Sequence, residues 1–189
     1  MKTVILDAGH GGIVAGQYQT AGKRSPVWSD GTILYEGEFN RAIKARVIER
    51  LSAVYIPYID INPEYLDISL DSRVQRANKY ANDSFLISIH TNAGGGHGSE
   101  VFTSPNASEK SHQIAAEAEK QYKKSFPSYR WRGIKEEKFT IIHKTRMPAV
   151  LFECFFMDNK KECNQILQTR SGRDLCADWI YNTIIESVF

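Results

Sequence analysis

Residues 85–90 read FLISIH, a short apolar run that ends in a histidine. Nearly every position of the run is apolar, so both faces of the strand that it predicts must be covered. Strands buried on both faces are typical of parallel sheets with a helix layer on each side. The run therefore predicts a central strand of an α/β fold, and a glycine cluster from Gly94 to Gly98 marks the loop that follows.

The flanking patterns alternate between strands and helices. Apolar runs predict strands, and apolar residues spaced by about one helical turn predict helices. The strand candidates are Val4 to Leu6, a β-like stretch from Val54 to Ile61, Phe85 to His90, SEVFTS at 99–104, FTIIHK at 139–144 and PAVLFECFF at 148–156. The helix candidates are Glu36 to Leu51, Leu70 to Tyr80, Ala107 to Lys124, Lys160 to Leu167 and Gly172 to Ser187. This alternation predicts one α/β domain, residues 1–189, with a mostly parallel, twisted sheet of about six strands and helices on both faces.

The composition argues against several classes of function. The chain has 189 residues, of which 42% are hydrophobic and 24% charged, and its net charge is +2. So small a charge does not favour nucleic acid or an anionic membrane as a partner, and no run reaches the roughly 18 apolar residues of a membrane span. Three cysteines without a CxxC pair argue against a disulfide framework or a cysteine zinc cage. We also expect no obligate protein partner.

The N-terminus, MKTVILDAGHGG, predicts that the chain has no signal peptide. It carries one lysine and an apolar run too short for a secretory leader. We therefore expect a protein that is made in the cytoplasm and reaches an external substrate only after release by another agent.

Polar side chains follow three predicted strands at the point where each strand ends. His10 follows the first strand, His90 closes LISIH, and Glu153 closes PAVLFE. Ligands of such sheets bind beyond the carboxyl ends of the strands, so we expect these side chains at one rim. Glu36 begins the helix that returns from this rim and faces the core, whereas Glu38 points about 200° away around the helix axis.

Two imidazoles and one carboxylate form a ligand set that leaves the fourth position of tetrahedral zinc open. On this hypothesis His10, Glu36 and His90 hold Zn²⁺, while Glu153 takes a proton from an activated water and passes it to a leaving amine. The glycines around His10 would allow the backbone to approach the ion. Plainer interpretations exist: His90 as a hydrogen-bonded structural histidine, and Glu36 as a carboxylate at a helix N-terminus.

Taken together, the segments resemble the zinc-dependent N-acetylmuramoyl-L-alanine amidases of the amidase-3 family, the peptidoglycan amidases of bacteria and their phages. The resemblance covers about residues 1–165 and keeps the family's motif order. The motifs are DAGHGG with Ala8 in the place of a proline, YEGEFN with Glu36 and Asn40, SIHTNA, RGIK at 132–135, and MPAVLFECFFMDNKKE. A departure is the bulky Phe155, where many members have a small residue. It either packs in the core or reshapes the pocket.

The resemblance implies that His10, Glu36 and His90 hold zinc and that Glu153 is the catalytic carboxylate. It also implies hydrolysis of the amide between the lactyl group of N-acetylmuramic acid and the L-alanine of the stem peptide. Together with the expected lack of a leader, it favours an endolysin-like catalytic domain of a phage or prophage. The alternatives are a zinc peptidase or amidase acting on another stem-peptide bond, and a non-catalytic cell-wall-binding module.

Three further residues are candidates for substrate binding. Asn92 belongs to SIHTNA, and His97 lies in the loop that follows it. Arg132 lies in SYRWRGIK, whose aromatic and basic residues suit sugar rings and stem-peptide carboxylates. The plainer interpretations are a solvated loop residue for His97 and an exposed strand with alternating charges for SYRWRGIK.

Overall fold

A six-stranded sheet forms the centre of the computed structural model, which describes residues 2–188. The strands of the chain are β1 (Thr3–Ala8), β2 (Ile13–Val14), β3 (Gln17–Tyr18), β4 (Tyr58–Asp60), β5 (Ser84–Asn92), β6 (Ser99–Thr103), β7 (Trp131–Glu136) and β8 (Ala149–Phe156). β2 and β3 form a separate hairpin, and the sheet has the order β4-β1-β5-β8-β6-β7. Within the six-stranded sheet, the β6–β8 pairing is antiparallel and the other four pairings are parallel. The predicted fold class, a mostly parallel sheet of about six strands, is confirmed.

Helices cover both faces of the sheet. They are α1 (Glu36–Ala53), α2 (Leu70–Asn78), α3 (Glu109–Ser125), α4 (Thr140–His143), α5 (Lys160–Glu162), which continues into a π-helical segment (Cys163–Leu167), and α6 (Arg170–Val188). One face packs against α1, α3 and α6, and the other packs against α2 and α4. Among residues 2–188, none of these helices has the length and apolar character needed to span a bilayer.

The side chains of β5 explain why FLISIH is apolar on both faces. Phe85, Ile87 and Ile89 pack in the cluster beneath α1, α3 and α6, whereas Leu86 packs on the α2 side. Because successive strand residues point to opposite faces, His90 belongs to the α2 side as well. The carboxyl end of β5 therefore presents its imidazole on the face that is covered by the smaller helix layer.

Two segments depart from the predicted secondary structure. FTIIHK, predicted as a strand, forms α4, because Ile141 and Ile142 are both buried in the same cluster, and neighbouring strand residues could not share one face. The stretch from Val54 to Ile61 yields only the three residues of β4. Here α1 continues to Ala53, and Tyr55 turns the chain in a left-handed conformation with a φ of 57°.

β7, the sixth strand of the sheet, comes from SYRWRGIK. The stretch is therefore a strand over Trp131–Glu136, in which Ile134 and Glu136 are exposed and the other four residues are half-buried. The long segment between β1 and α1 contains the β2–β3 hairpin and an isolated bridge between Arg24 and Tyr35. It returns directly to the N-terminus of α1, where the backbone N–H of Glu36 donates to the carbonyl of Lys23 at 3.0 Å.

Trp179 of α6 joins three elements of the core. The residue is fully buried, its indole Nε1 donates to the carbonyl of Ala118 on α3 at 2.7 Å, and its ring packs edge-on against Phe152 of β8 at a centroid distance of 4.9 Å. Trp179 therefore links two helices to the sheet.

We expect Trp179→Ala to lower the free energy of unfolding by about 3–5 kcal/mol, because it leaves a cavity and removes a buried hydrogen bond. Urea denaturation followed by circular dichroism measures the change. Leu175→Ala, at a position of α6 that is 40% exposed, is the control and should change stability by less than about 1 kcal/mol. Equal effects of the two substitutions would contradict the packing described.

Candidate metal centre

His10, Glu36 and His90 lie together at the carboxyl ends of β1 and β5. Glu36 Oε1 is 3.3 Å from His10 Nε2 and 3.2 Å from His90 Nδ1, and one ligand atom from each residue lies within 4.8 Å of the others. The imidazole rings are nearly perpendicular, at 88°, with centroids 5.3 Å apart. Ligands of tetrahedral zinc, at about 2.0–2.1 Å from the ion, are about 3.3 Å from one another. The spacing of the three groups therefore fits a single zinc ion.

The electrostatics of the cluster suit a cation. Glu36 is only 2% exposed. Its burial opposes ionisation, but hydrogen bonds with His10 and His90 outweigh it and hold the pKa of Glu36 at about 2. Burial lowers the pKa of His90. The hydrogen bond to Glu36 and the nearby Glu153 carboxyl raise it by more, so the pKa of His90 lies above its ordinary value. Both imidazoles thus face an ionised, buried carboxylate, which is the arrangement that a divalent ion would stabilise.

Close backbone packing brings the ligands together. A Cβ atom at Gly9 would lie 2.1 Å from Cε1 of His90, so only glycine leaves room for the imidazole. His10 adopts a left-handed conformation with a φ of 65°. Two side chains of α1 hold this turn: Arg41 donates to the carbonyl of His10 at 2.7 Å, and Asn40 donates to the carbonyl of Gly9 at 3.0 Å.

Arg41 therefore has a positioning function that the sequence analysis did not assign to it. Its position between the apolar residues of α1 suggests an exposed side chain, yet it is only 7% exposed. Besides His10, it binds the carbonyl of Glu64 in the loop after β4 through Nε and a terminal nitrogen. The signal available in the sequence was its position directly after Asn40, the last residue of the YEGEFN motif.

A buried charge pair supports β1 and β5 beneath the two histidines. Arg73 of α2 donates to Asp7 at 3.2 Å and to the carbonyl of Ala8 at 2.8 Å. Ser88 of β5 donates to the other oxygen of Asp7 at 2.7 Å. These bonds connect α2 to the ends of both strands, and they fix the backbone from which His10 and His90 extend.

Glu153 lies beside His90, because the two residues pair directly across β5 and β8. Its Oε2 atom is buried and has no hydrogen-bond partner within residues 2–188. Burial raises the pKa of Glu153 to about 8, with help from the carboxylates of Glu36 and Glu100 and against the effect of His90. Buried polar atoms are nearly always paired, so an unpaired carboxyl oxygen next to the cluster indicates a position for substrate or water.

β8 bulges immediately after Glu153. The strand has one residue more than β5 before pairing resumes at Phe156, and Phe155 takes a left-handed φ of 59°. Such a conformation costs on the order of 1–3 kcal/mol outside glycine. Phe155 is fully buried, with its ring 4.9 Å from that of Phe126. The bulky residue therefore packs in the core, and the bulge ends the regular strand at the carboxylate.

The three candidate substrate-binding residues lie around Glu100, which pairs with Glu153 across β6 and β8. Asn92 and Arg132 donate to the two oxygens of Glu100 at 2.6 and 2.8 Å. His97 is exposed, and its carbonyl accepts from Arg132 at 3.4 Å. The sequence analysis missed Glu100, because the face on which it lies depends on the antiparallel pairing of β6; a lone acidic residue in SEVFTS was its only signal.

Comparison with protein families agrees with this geometry. The family model described as N-acetylmuramoyl-L-alanine amidase matches residues 4–186. The chain belongs to this family of amidases. The match includes every residue of the cluster and of its surroundings described above.

Individual relatives extend the similarity to the whole chain. The uncharacterized protein YqiI of Bacillus subtilis (strain 168) is 31% identical over 186 residues, which are 97% of this chain and 83% of that protein. An uncharacterized cell wall amidase of Bacillus anthracis is also 31% identical, over 98% of this chain but only 35% of its own length. The solved catalytic domain of the amidase CwlV from Bacillus (Paenibacillus) polymyxa is 28% identical and gives a TM-score of 0.80, covering 98% of this chain and 97% of that one.

We expect Gly9→Ala to lower the affinity for Zn²⁺ at least about tenfold, because the added methyl group displaces the His90 ring from the cluster. Competition with a chromophoric chelator measures the affinity. The control is Gly22→Asn, since Gly22 has a φ of 80° and no neighbour near its missing Cβ, and asparagine tolerates this conformation. An unchanged affinity in Gly9→Ala would show that His90 does not need its observed position to bind the ion.

Proposed function

We propose that the chain is a zinc-dependent amidase that hydrolyses the bond between the lactyl group of N-acetylmuramic acid and the L-alanine of the stem peptide in peptidoglycan. The observation that carries the proposal is the convergence of two imidazole nitrogens on one buried oxygen of Glu36, beside the unpaired oxygen of Glu153. Membership of the amidase family supports hydrolysis of this bond.

The donor set favours zinc. His10, His90 and Glu36 supply two nitrogens and one oxygen, and three protein ligands with an open position are typical of catalytic zinc. The free cysteines Cys154, Cys163 and Cys176 are all buried, and none belongs to the cluster. When bound, the ion would polarise the scissile carbonyl and lower the pKa of a water molecule to about 7.

Glu153 is the proton carrier of the proposed reaction. A divalent ion bound at the cluster would favour the ionised form of Glu153. The free Oε2 then accepts the proton of the attacking water and delivers it to the nitrogen of the leaving L-alanine. The register of β5 and β8 pairs Glu153 with His90, which supports a role for its carboxyl group in the reaction of water or substrate bound at the cluster. The bulge at Phe155 fixes the end of the strand from which the carboxyl extends.

A cleft on the other side of the cluster offers room for substrate. It has a volume of 330 Å³ and is lined by His10, by residues 67–70 and by Arg73. Leu70 in this cleft is 50% exposed, so the lining combines apolar and polar surface. A substrate that enters here reaches the cluster from the β1 side and continues toward Glu153 on the β8 side.

We expect the protein to release stem peptides with a free L-alanine amine from purified cell walls and to leave the glycan strands intact. Mass spectrometry of the soluble products identifies the bond. Glu153→Gln should lower turnover by about 10²–10⁴-fold without loss of bound zinc, whereas His90→Ala should lose both. Glu49→Gln, at an exposed carboxylate of α1, is the matched control and should behave as the wild type.

The competing functions give different results in the same experiment. A peptidase would release fragments cut within the stem peptide, and a wall-binding module would sediment with the walls and release nothing. Chelator-resistant activity, or full activity in Glu153→Gln, would contradict the proposed mechanism. The endolysin-like release of the protein, expected from the sequence, stays a prediction.

A further inference from the structure

Glu100 holds two cations beside the proposed active site. The residue is 3% exposed, and its Oε2 accepts from Arg132 Nε at 2.8 Å and also forms an ion pair with Lys135. Burial raises the pKa of Glu100, but the hydrogen bonds of Lys135 and Arg132 outweigh it and hold the pKa below its ordinary value. Glu100 is therefore ionised, and its single carboxylate holds two cations.

A bulge in β7 brings both cations to the same face of the sheet. Ser99 pairs with Trp131, but Val101 pairs with Ile134, so β7 has one extra residue in this interval. Gly133 lies within the bulge and has a φ of 103°. In a regular strand, residues three apart point to opposite faces. The bulge allows Arg132 and Lys135 both to reach Glu100.

Arg132 is fixed in one orientation. Nε is bound to Glu100, one terminal nitrogen donates to the carbonyl of His97 at 3.4 Å, and the guanidinium lies 4.8 Å from the ring centroid of Phe156. Its second terminal nitrogen donates no hydrogen bond within residues 2–188. The side chains of Arg132 and Lys135 are 23% and 39% exposed, so the pair can meet a ligand from solvent. A guanidinium held in this way loses little entropy on binding an anion.

Arg132 and Lys135 lie on the third strand from that of His90 in the order β5-β8-β6-β7. Glu100 pairs with Glu153 across neighbouring strands, which are about 4.8 Å apart, and β7 is one strand further. An extended peptide advances about 3.3–3.6 Å per residue. A peptide that leaves the cluster past Glu153 therefore brings its second to fourth residue to the cations.

We propose that Arg132 and Lys135 bind a carboxylate of the substrate's stem peptide, at the second, third or fourth residue. The inference deepens the proposed function and rests on it for the direction of the peptide. A single cation would suffice to neutralise Glu100, so the second one, the bulge that orients it and the free nitrogen of Arg132 all favour an external anion. Carboxylates are the acidic groups that arginine and lysine recognise with charge-assisted hydrogen bonds.

The test uses synthetic muramoyl-L-alanyl peptides in pairs that differ only by a carboxylate or a carboxamide at one of these residues. For one position, the wild-type protein should cleave the carboxylate with a kcat/KM about 10- to 100-fold higher, mainly through KM. Arg132→Gln and Lys135→Met should each remove most of this preference, because they lower kcat/KM on the carboxylate member of the pair more than on the carboxamide member. Lys138→Met, an exposed neighbour with the same loss of charge, should keep the preference.

Calorimetric binding of the corresponding peptide products separates this inference from the proposed reaction. A protein that cleaves no substrate but binds the carboxylate peptide more tightly than the carboxamide would disprove the reaction and retain the subsite. Equal cleavage and equal binding of both members at all three positions would overturn the subsite. So would an equal loss on both substrates in Lys135→Met, whose half-exposed side chain can be replaced without disturbing the core.

Discussion

The interaction on which the site depends is the contact of one buried carboxylate with two imidazoles. An ionised carboxyl group away from water is costly unless it is paired, and the partners of Glu36 are His10 and His90. They come from the ends of two neighbouring parallel strands, while Glu36 opens the helix that crosses back over the sheet. The parallel topology thus places the three groups at the carboxyl end of the sheet. Their mutual attraction determines how closely they approach one another.

Other residues at the carboxyl end of the sheet support the contact between Glu36 and the two histidines. Arg41 holds the left-handed turn of His10, and Arg73 holds Asp7 at the end of β1. Beyond His90, Glu153 and Glu100 follow on successive strands, and two β-bulges lie beside them. Bulges commonly redirect side chains next to active sites. The carboxyl end of the sheet therefore contains a continuous series of groups, from the candidate ligand cluster through Glu153, the proposed proton carrier, to the pair of cations on Glu100.

The sequence predicted those parts in which local pattern and burial agree. FLISIH and PAVLFECFF are mostly apolar because helices cover both faces of β5 and β8, and their polar residues His90 and Glu153 could be assigned to one rim. FTIIHK also combines apolar residues with a histidine, and only tertiary packing decides that it forms a helix. Glu100 and Arg41 were missed because their burial depends on an antiparallel pairing and on loop carbonyls, which no local pattern encodes.

Zinc K-edge X-ray absorption of the purified, zinc-loaded protein tests the central claim most directly. The account predicts one ion per chain, surrounded by two imidazole nitrogens and by oxygen at about 2.0–2.1 Å, without a sulfur ligand. In His10→Ala, as in His90→Ala, this bound ion should be lost. A sulfur shell at about 2.3 Å, or a spectrum that is unchanged in His10→Ala, would show that the ion binds elsewhere and would contradict the account.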